Sequence, residues 1–373
     1  MTEKKGFNPP PYPYDRLDEL KPLGAHHQGG IVDCSIGTPF DAPPPGVVAA
    51  LGNSDTERGY PPSIGTPEFR ETVAEWMSIR LGCQLDPGQE IAAAVGTKEF
   101  VVGLPHWMKL RHPDRDTVLY PAISYPSYEM GAVLAGCRAV PVPVDANWSI
   151  RLDAISPRDR ARALLLWVNT PGNPAGGLDD LEAAAAWGRS HQVPVFSDEC
   201  YCEFTWDGPP RTILATGTQG VVAVHSLSKR SNLAGVRVGF YAGDPDLVGY
   251  LREVRKHAGF MVPGPAQAAA IAALSDQEHV NKQRETYLAR LHRLSKVMTT
   301  MGVETTLPRG GFYLWVLAPN GDAWAFTRQL VEQIGLLASP GEFYGSSGAE
   351  HVRVAAVQPD ERIGLLEQRL GTS

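Results

Sequence analysis

The stretch His225-Ser226-Leu227-Ser228-Lys229-Arg230-Ser231-Asn232-Leu233-Ala234-Gly235-Val236-Arg237-Val238-Gly239 decides how this chain is read. It sets a lysine between hydroxyls just past the apolar run Val221 to His225, and an arginine a short loop later between glycines that let backbone approach closely. Ser226, Ser228 and Arg237 can hydrogen-bond and neutralise a phosphate, while the Lys229 amine can bond to an aldehyde carbon. The group suits a phosphorylated aldehyde. A lysine in a Ser/Gly loop is by itself commonly a solvated surface residue, so the reading depends on its neighbours.

Upstream stands Val195-Phe196-Ser197-Asp198-Glu199-Cys200-Tyr201, an apolar run ending in an acid with a tyrosine three positions on. Earlier comes Asn169-Thr170-Pro171-Gly172-Asn173-Pro174-Ala175-Gly176, turn-rich and again behind an apolar run. Strand ends are where open α/β sheets bind ligands. The runs Thr117 to Tyr120, Ala139 to Val144, Ala163 to Val168, Val193 to Ser197 and Val221 to His225 alternate with helix-like stretches such as Tyr128 to Ala135 and Leu178 to Ser190. That alternation predicts a mainly parallel sheet covered by helices. Helices are also expected from Glu68 behind Pro67 and from Thr97 toward Leu110.

After Pro263 the pattern changes to one long helix from Ala266 toward Met301, a strand at Phe312 to Val316, a helix from Trp324 to Ile334 and a strand at Val352 to Ala355. The expected organisation is a large α/β domain over 46–262, with 1–45 and 263–373 forming an N-terminal arm and a smaller α+β domain. Pro9 to Pro13 predict an extended arm that either lies on the protein or reaches into solvent.

Composition narrows the function classes. Of 373 residues, 43% are hydrophobic and 20% charged, as in a folded globular chain. Basic residues number 34 against 41 acidic ones, a net charge of −7, which disfavours nucleic acid as a partner. Five scattered cysteines suit reduced thiols rather than a disulfide framework. No apolar run has the length of a signal peptide or membrane span, so a cytoplasmic protein is expected. His26-His27 and the other histidines show no metal-ligand spacing, and no metal is expected. The glycine-rich pieces fail the Gly-x-Gly-x-x-Gly pattern of a nicotinamide dehydrogenase.

Taken together, Asn173-Pro174-Ala175-Gly176, Ser197-Asp198-Glu199-Cys200-Tyr201 and Ser226-Leu227-Ser228-Lys229 with Gly235-Val236-Arg237-Val238-Gly239 resemble the class I/II, fold-type-I pyridoxal-phosphate aminotransferases, in the family's order and over nearly the whole chain. The resemblance implies that fold and pyridoxal 5'-phosphate as cofactor. It implies amino-acid and keto-acid substrates and a homodimer with shared sites.

Carried over residue by residue, Lys229 resembles the Schiff-base lysine, which also shuttles the proton. Asp198 is similar to the carboxylate that keeps the pyridine nitrogen protonated, so the ring acts as an electron sink. Asn173 and Tyr201 match the positions bonding the cofactor's phenolic oxygen, and Tyr125 matches the ring that stacks on the pyridine, with Tyr128 as its rival. Gly96, Thr97 and Lys98, at a glycine turn into a helix, join Ser226, Ser228 and Arg237 on the phosphate. Tyr60 resembles the tyrosine that reaches the neighbouring subunit's cofactor. Arg353 and Gly37 match the contacts to the substrate carboxylate, and Asn173 is counted with them.

The opening Asn8-Pro-Pro-Pro-Tyr-Pro-Tyr-Asp-Arg-Leu17, the run Gly96 to Glu99 and the run Ser226 to Gly235 resemble the actinobacterial type of succinyldiaminopimelate transaminase. That resemblance implies amino exchange between glutamate and N-succinyl-2-amino-6-oxopimelate. Arg230 stands where many relatives carry Thr, and is a candidate for binding a remote substrate carboxylate. Cys200 and Cys202 read as packed thiols. Another class I/II aminotransferase, of aspartate or aromatic type, is an alternative; a β-elimination lyase would use the same lysine, aspartate and arginine, and keto-acid dependence separates it from a transaminase. A pyridoxal-phosphate-binding transcription regulator would need a DNA-binding module, for which the proline arm leaves no room.

Overall fold

Alternation within single strands explains the centre of the molecule. In strand Ala163–Asn169, Leu166 and Val168 join one buried cluster while Leu165 and Trp167 join another. A strand that is apolar on both faces needs helices on both. A computed structural model describes residues 6–56 and 58–371. In it a seven-stranded sheet runs in the order Ile91–Ala94, Gly239–Gly243, Val221–Ser226, Val195–Asp198, Ala163–Asn169, Thr117–Pro121 and Arg138–Val142. Gly239–Gly243 is antiparallel to both its neighbours, and the remaining pairs are parallel.

One face packs Val73, Met77, Ala184 and Ala269 against the sheet, and the other packs Phe100, Leu104, Val248 and Leu251. Each of the larger fully buried side chains, Val, Met, Phe and Leu, contributes about 1.5–3 kcal/mol, and each alanine less. Among the described residues the five expected strands all form, within two residues of their expected ends. Two strands carried no readable pattern: Ile91–Ala94 is mostly alanine, and Gly239–Gly243 is bounded by glycines.

A second core gathers Tyr287, Leu291, Phe312, Leu314, Leu330, Val354 and Ile363 around the antiparallel sheet Ser339–Pro340, His351–Ala355 and Tyr313–Leu317. Helices Glu278–Thr300, Ala323–Ile334 and Asp360–Arg369 surround it, and Val32–Asp33 pairs with Leu336–Leu337 beside it. The expected single helix from Ala266 is two, Gly264–Ser275 and Glu278–Thr300. Asp276 is extended, and its Oδ1 accepts from Glu278 N and His279 N, so a side-chain acceptor starts a second helix where periodicity reads straight through. Helix Gly264–Ser275 packs into the first core through Ala266, Ala269, Ala270 and Ala273, so that core extends past residue 263.

The arm is extended only to Tyr12. Pro13 opens a 3-10 turn, Pro13–Glu19, whose Tyr14 and Leu17 bury against Val331, Leu337 and Tyr344. The arm therefore lies on the protein.

Candidate active site

Asn169, Asp198 and Ser226 each end a parallel strand, and a cavity of about 480 Å³ opens there. The sheet brings Asp198 and Lys229 to one wall. Strand Val221–Ser226 runs straight into the short helix Leu227–Arg230, capped by Ser226 Oγ accepting from Ser228 N at 3.1 Å. Lys229 Nζ donates to Gly37 O. Burial brings the amine down to about 8, opposed by Cys200 and reinforced by Arg353 and Arg237.

Asp198 Oδ2 accepts from the Tyr128 hydroxyl at 2.8 Å and Oδ1 from Cys200 N at 3.2 Å. Burial raises its carboxyl above the usual range, against the pull of those donors. A cationic group beside it would favour the carboxylate. Tyr128 is buried against Trp167 behind the acid, whereas Tyr125 is half-buried on the cavity with its hydroxyl 3.3 Å from that of Tyr12. Of the two tyrosines, Tyr125 offers its face and Tyr128 its hydroxyl.

At the cavity's other side, helix Thr97–Arg111 begins behind Gly96 at φ +72°. A Cβ on Gly96 would overlap the Arg237 guanidinium, so only glycine lets the arginine close over the helix start. Arg237 itself takes φ +60° and donates to a carbonyl, Ala234 O, rather than to a carboxylate. Thr97, Ser226, Ser228, Arg237 and the helix N-terminus together form a donor set for a phosphate dianion.

Arg353 is almost wholly buried yet keeps Nε unpaired; Nη1 donates to Asn173 Oδ1 at 2.8 Å, and the guanidinium lies over the rings of Tyr313 and Tyr344. Asn173 N is fixed by Asn169 Oδ1 at 2.8 Å, and Asn169 Nδ2 reaches Asp198 O at 2.9 Å. The Tyr201 and Tyr313 hydroxyls pair at 2.8 Å, and a Cβ on Gly37 would overlap the latter. Lys98, expected on the phosphate, instead stands exposed at the mouth, where it donates to the Tyr12 hydroxyl at 3.2 Å and faces the Tyr12 and Tyr125 rings.

The cavity thus gathers Gly37, Thr97, Lys98, Tyr125, Asn173, Asp198, Tyr201, Ser226, Ser228, Lys229, Arg237 and Arg353, and Gly96 adjoins it. Tyr60 is 94% exposed and stands outside it. Arg230 must be corrected: it is buried on the far side, donating to Ala273 O at 2.8 Å, 3.8 Å from Glu203 and over Trp76, because a charge packed into that core takes its partners from within it. No group of His, Cys, Asp and Glu among the described residues is arranged to hold a metal.

Sequence reading passed over Tyr12, Tyr14, Asn169 and Tyr313, all on the cavity wall. The signals were present: two tyrosines spaced within a proline arm, a second asparagine in the turn of Asn173, and an aromatic behind Gly310-Gly311.

Residues 30–368 match the family model described as aminotransferase class I and II. The chain is 39% identical over 370 residues to the 4-dedimethylamino-4-oxo-anhydrotetracycline transaminase OxyQ of Streptomyces rimosus, across 97% of this chain and 99% of that protein. It is 31% identical over 375 residues to the LL-diaminopimelate aminotransferase of Aquifex aeolicus, across 97% and 96%. A solved structure described as a probable N-succinyldiaminopimelate aminotransferase from Thermus thermophilus superposes with a TM-score of 0.85 at 30% identity, over 96% of this chain and 100% of that one. With this cavity and these matches, the chain belongs to the class I and II aminotransferases, enzymes that depend on pyridoxal 5'-phosphate.

Proposed function

We propose that the protein transfers an amino group between glutamate/2-oxoglutarate and N-succinyl-2-amino-6-oxopimelate, the exchange that makes or consumes N-succinyl-LL-2,6-diaminopimelate. The observation behind this is that two cations, Arg353 and Lys98, line one cavity with Lys229, which suits substrates with a carboxylate at each end. The likeness to an LL-diaminopimelate aminotransferase and to a described N-succinyldiaminopimelate aminotransferase agrees with it.

When bound, pyridoxal 5'-phosphate supplies an aldehyde carbon to carry the amino group and a ring to take up electrons released with the substrate's α-proton. Thr97, Ser226, Ser228 and Arg237, with the backbone behind Gly96, would hold its phosphate. Asp198 would hold its ring nitrogen, Tyr125 its face, and Asn173 with Tyr201 its phenolic oxygen. Lys229 Nζ, brought near 8 by burial, holds and releases a proton close to neutral pH and so serves as the base at the α-carbon. Arg353, held by Asn173, binds the α-carboxylate, with Gly37 closing over it. Tyr60, outside its own cavity, serves the phosphate site of a second subunit in a cytoplasmic homodimer.

A second reading has its own support, since the relative from Streptomyces rimosus is named for a 4-oxo-anhydrotetracycline. On that reading the amino acceptor is a ketone of that kind. The test begins with wild type and Lys229→Ala loaded with the cofactor. Glutamate should bleach the visible band of the wild type alone. Glutamate formation from 2-oxoglutarate is then measured with N-succinyl-LL-2,6-diaminopimelate, LL-diaminopimelate and the amino-anhydrotetracycline in turn. Turnover with the succinylated donor at least about tenfold above the others supports the proposal. Preference for either competitor overturns it.

A further inference from the structure

Helix Glu278–Thr300 places Gln283, Tyr287 and Arg290 at i, i+4 and i+7, on one face. That face meets two loops that reach the cavity from distant parts of the chain. One is the strap of residues 35–41, in which Gly37 O accepts from Lys229 Nζ. The other is the turn after Lys229, where Asn232 takes φ +56°.

Gln283 bridges them. Its Nε2 donates to Asp41 Oδ2 at 2.8 Å, and its Oε1 accepts from Asn232 Nδ2 at 3.0 Å. Chemistry fixes this orientation, because the Asp41 carboxylate only accepts and Asn232 Oδ1 is engaged by the Tyr287 hydroxyl at 3.4 Å. Arg290 clamps Asp41 through Nη1 at 2.6 Å and Nη2 at 2.9 Å, and is held in turn by Asp360. Gln283 is buried, so losing either partner leaves one end of its amide without a bond, while Asp41 keeps Arg290 and Asn232 keeps Ala42 O.

We infer that Gln283 is a positioning residue: by tying Asp41 to Asn232 it holds the Gly37 strap in register with Lys229, so that the substrate carboxylate and the α-proton are met by groups whose spacing does not drift. This rests on the roles proposed above for Gly37 and Lys229. Displacement of a reacting group by about 1 Å is enough to cost on the order of a hundredfold in rate.

The test uses the holoenzyme with Gln283→Leu, Asn232→Gly and the double variant. Asn232→Gly keeps the left-handed backbone and removes only the amide, so it decides the matter even where the leucine fails to fold. Each single variant should speed hydrogen exchange in residues 35–42 about tenfold, and should both raise KM and lower kcat for glutamate by about tenfold, with cofactor affinity changing less than about threefold. The double variant should lose less than the sum of the two singles, since both break the Gln283–Asn232 bond while each also removes contacts of its own, Gln283 to Asp41 and Asn232 to Ala42 O and Tyr287. Unchanged exchange in residues 35–42, exchange rising equally over the whole chain, or effects that add in the double variant would overturn the inference. A wild type that does not turn over glutamate would instead overturn the proposed amino donor, and the exchange measurement would still decide the bridge.

Discussion

Lys229 shows a buried cavity side chain working against stability. Its amine loses its proton around pH 8 in the folded chain and around 10.5 when unfolded, so well below pH 8 it is charged in both states and the folded one bears the cost of burial. Between those values the unfolded chain holds the extra proton, and stability rises with pH. The cost below pH 8 is on the order of 3 kcal/mol. Lys229→Met in the cofactor-free protein should therefore melt several degrees above wild type at pH 7, with the gap closing toward pH 10.5. A pH-independent gap in Tm would show that the amine is not depressed. Asp198 gives a second case at this scale. Removing its hydroxyl donor with Tyr128→Phe should weaken cofactor binding at least about tenfold by fluorescence titration, as expected for a hydrogen bond to a charged group. Lys229 and Asp198 were legible because each sits in a short motif at a strand end. The hydroxyl of Tyr128 was not, since it stands on helix Ser127–Leu134 while its partner ends a strand 70 residues on, and no local spacing records the pair. Arg230 was misread for the same reason: adjacency to Lys229 in the chain says nothing about the face on which a side chain emerges.

Elements carry the next level of control. Helix Thr97–Arg111 aims its N-terminus at the cavity because Gly96 turns the chain with φ +72° and leaves room for Arg237. Gly96→Ala brings a Cβ into that guanidinium and strains the backbone. Apoprotein carrying it should lose on the order of a hundredfold in affinity for pyridoxal 5'-phosphate. Affinity for pyridoxal, which lacks the phosphate, should change far less, and an equal loss for both would place the defect elsewhere. Strands with strong apolar runs, such as Ala163–Asn169, were readable from pattern alone. Ile91–Ala94 and Gly239–Gly243 were not, because alanine and glycine carry little strand preference, and Ile91–Ala94 forms the sheet edge only by pairing with Gly239–Gly243 and being buried there. The break at Asp276 was hidden for a related reason: one carboxylate oxygen starts a new helix without disturbing the apolar spacing.

At the scale of the whole molecule, Tyr60 lies outside its own cavity, which is where a residue serving a second copy would stand. If it does so, mixing inactive Lys229→Ala with Tyr60→Ala subunits restores activity, since each mixed dimer holds one site with both residues intact. Absence of restoration, with mixed dimers shown to form, would assign Tyr60 to its own subunit or to none. The sequence by itself determined the α/β class, through the alternation of apolar runs and helical stretches, and the order of the motifs whose resemblance implied the cofactor and most of the residues at the cavity, because each motif is carried within a few consecutive positions. Tertiary structure alone decided which side chains hold them: Tyr128 behind Asp198, Asn169 between Asn173 and Asp198, the tyrosine arm over the mouth, and Gln283 between Asp41 and Asn232. Apart from the local Asn169–Asn173 bond, such pairings join positions far apart in the chain, and they exist only once the sheet and its helices have closed the distance between them.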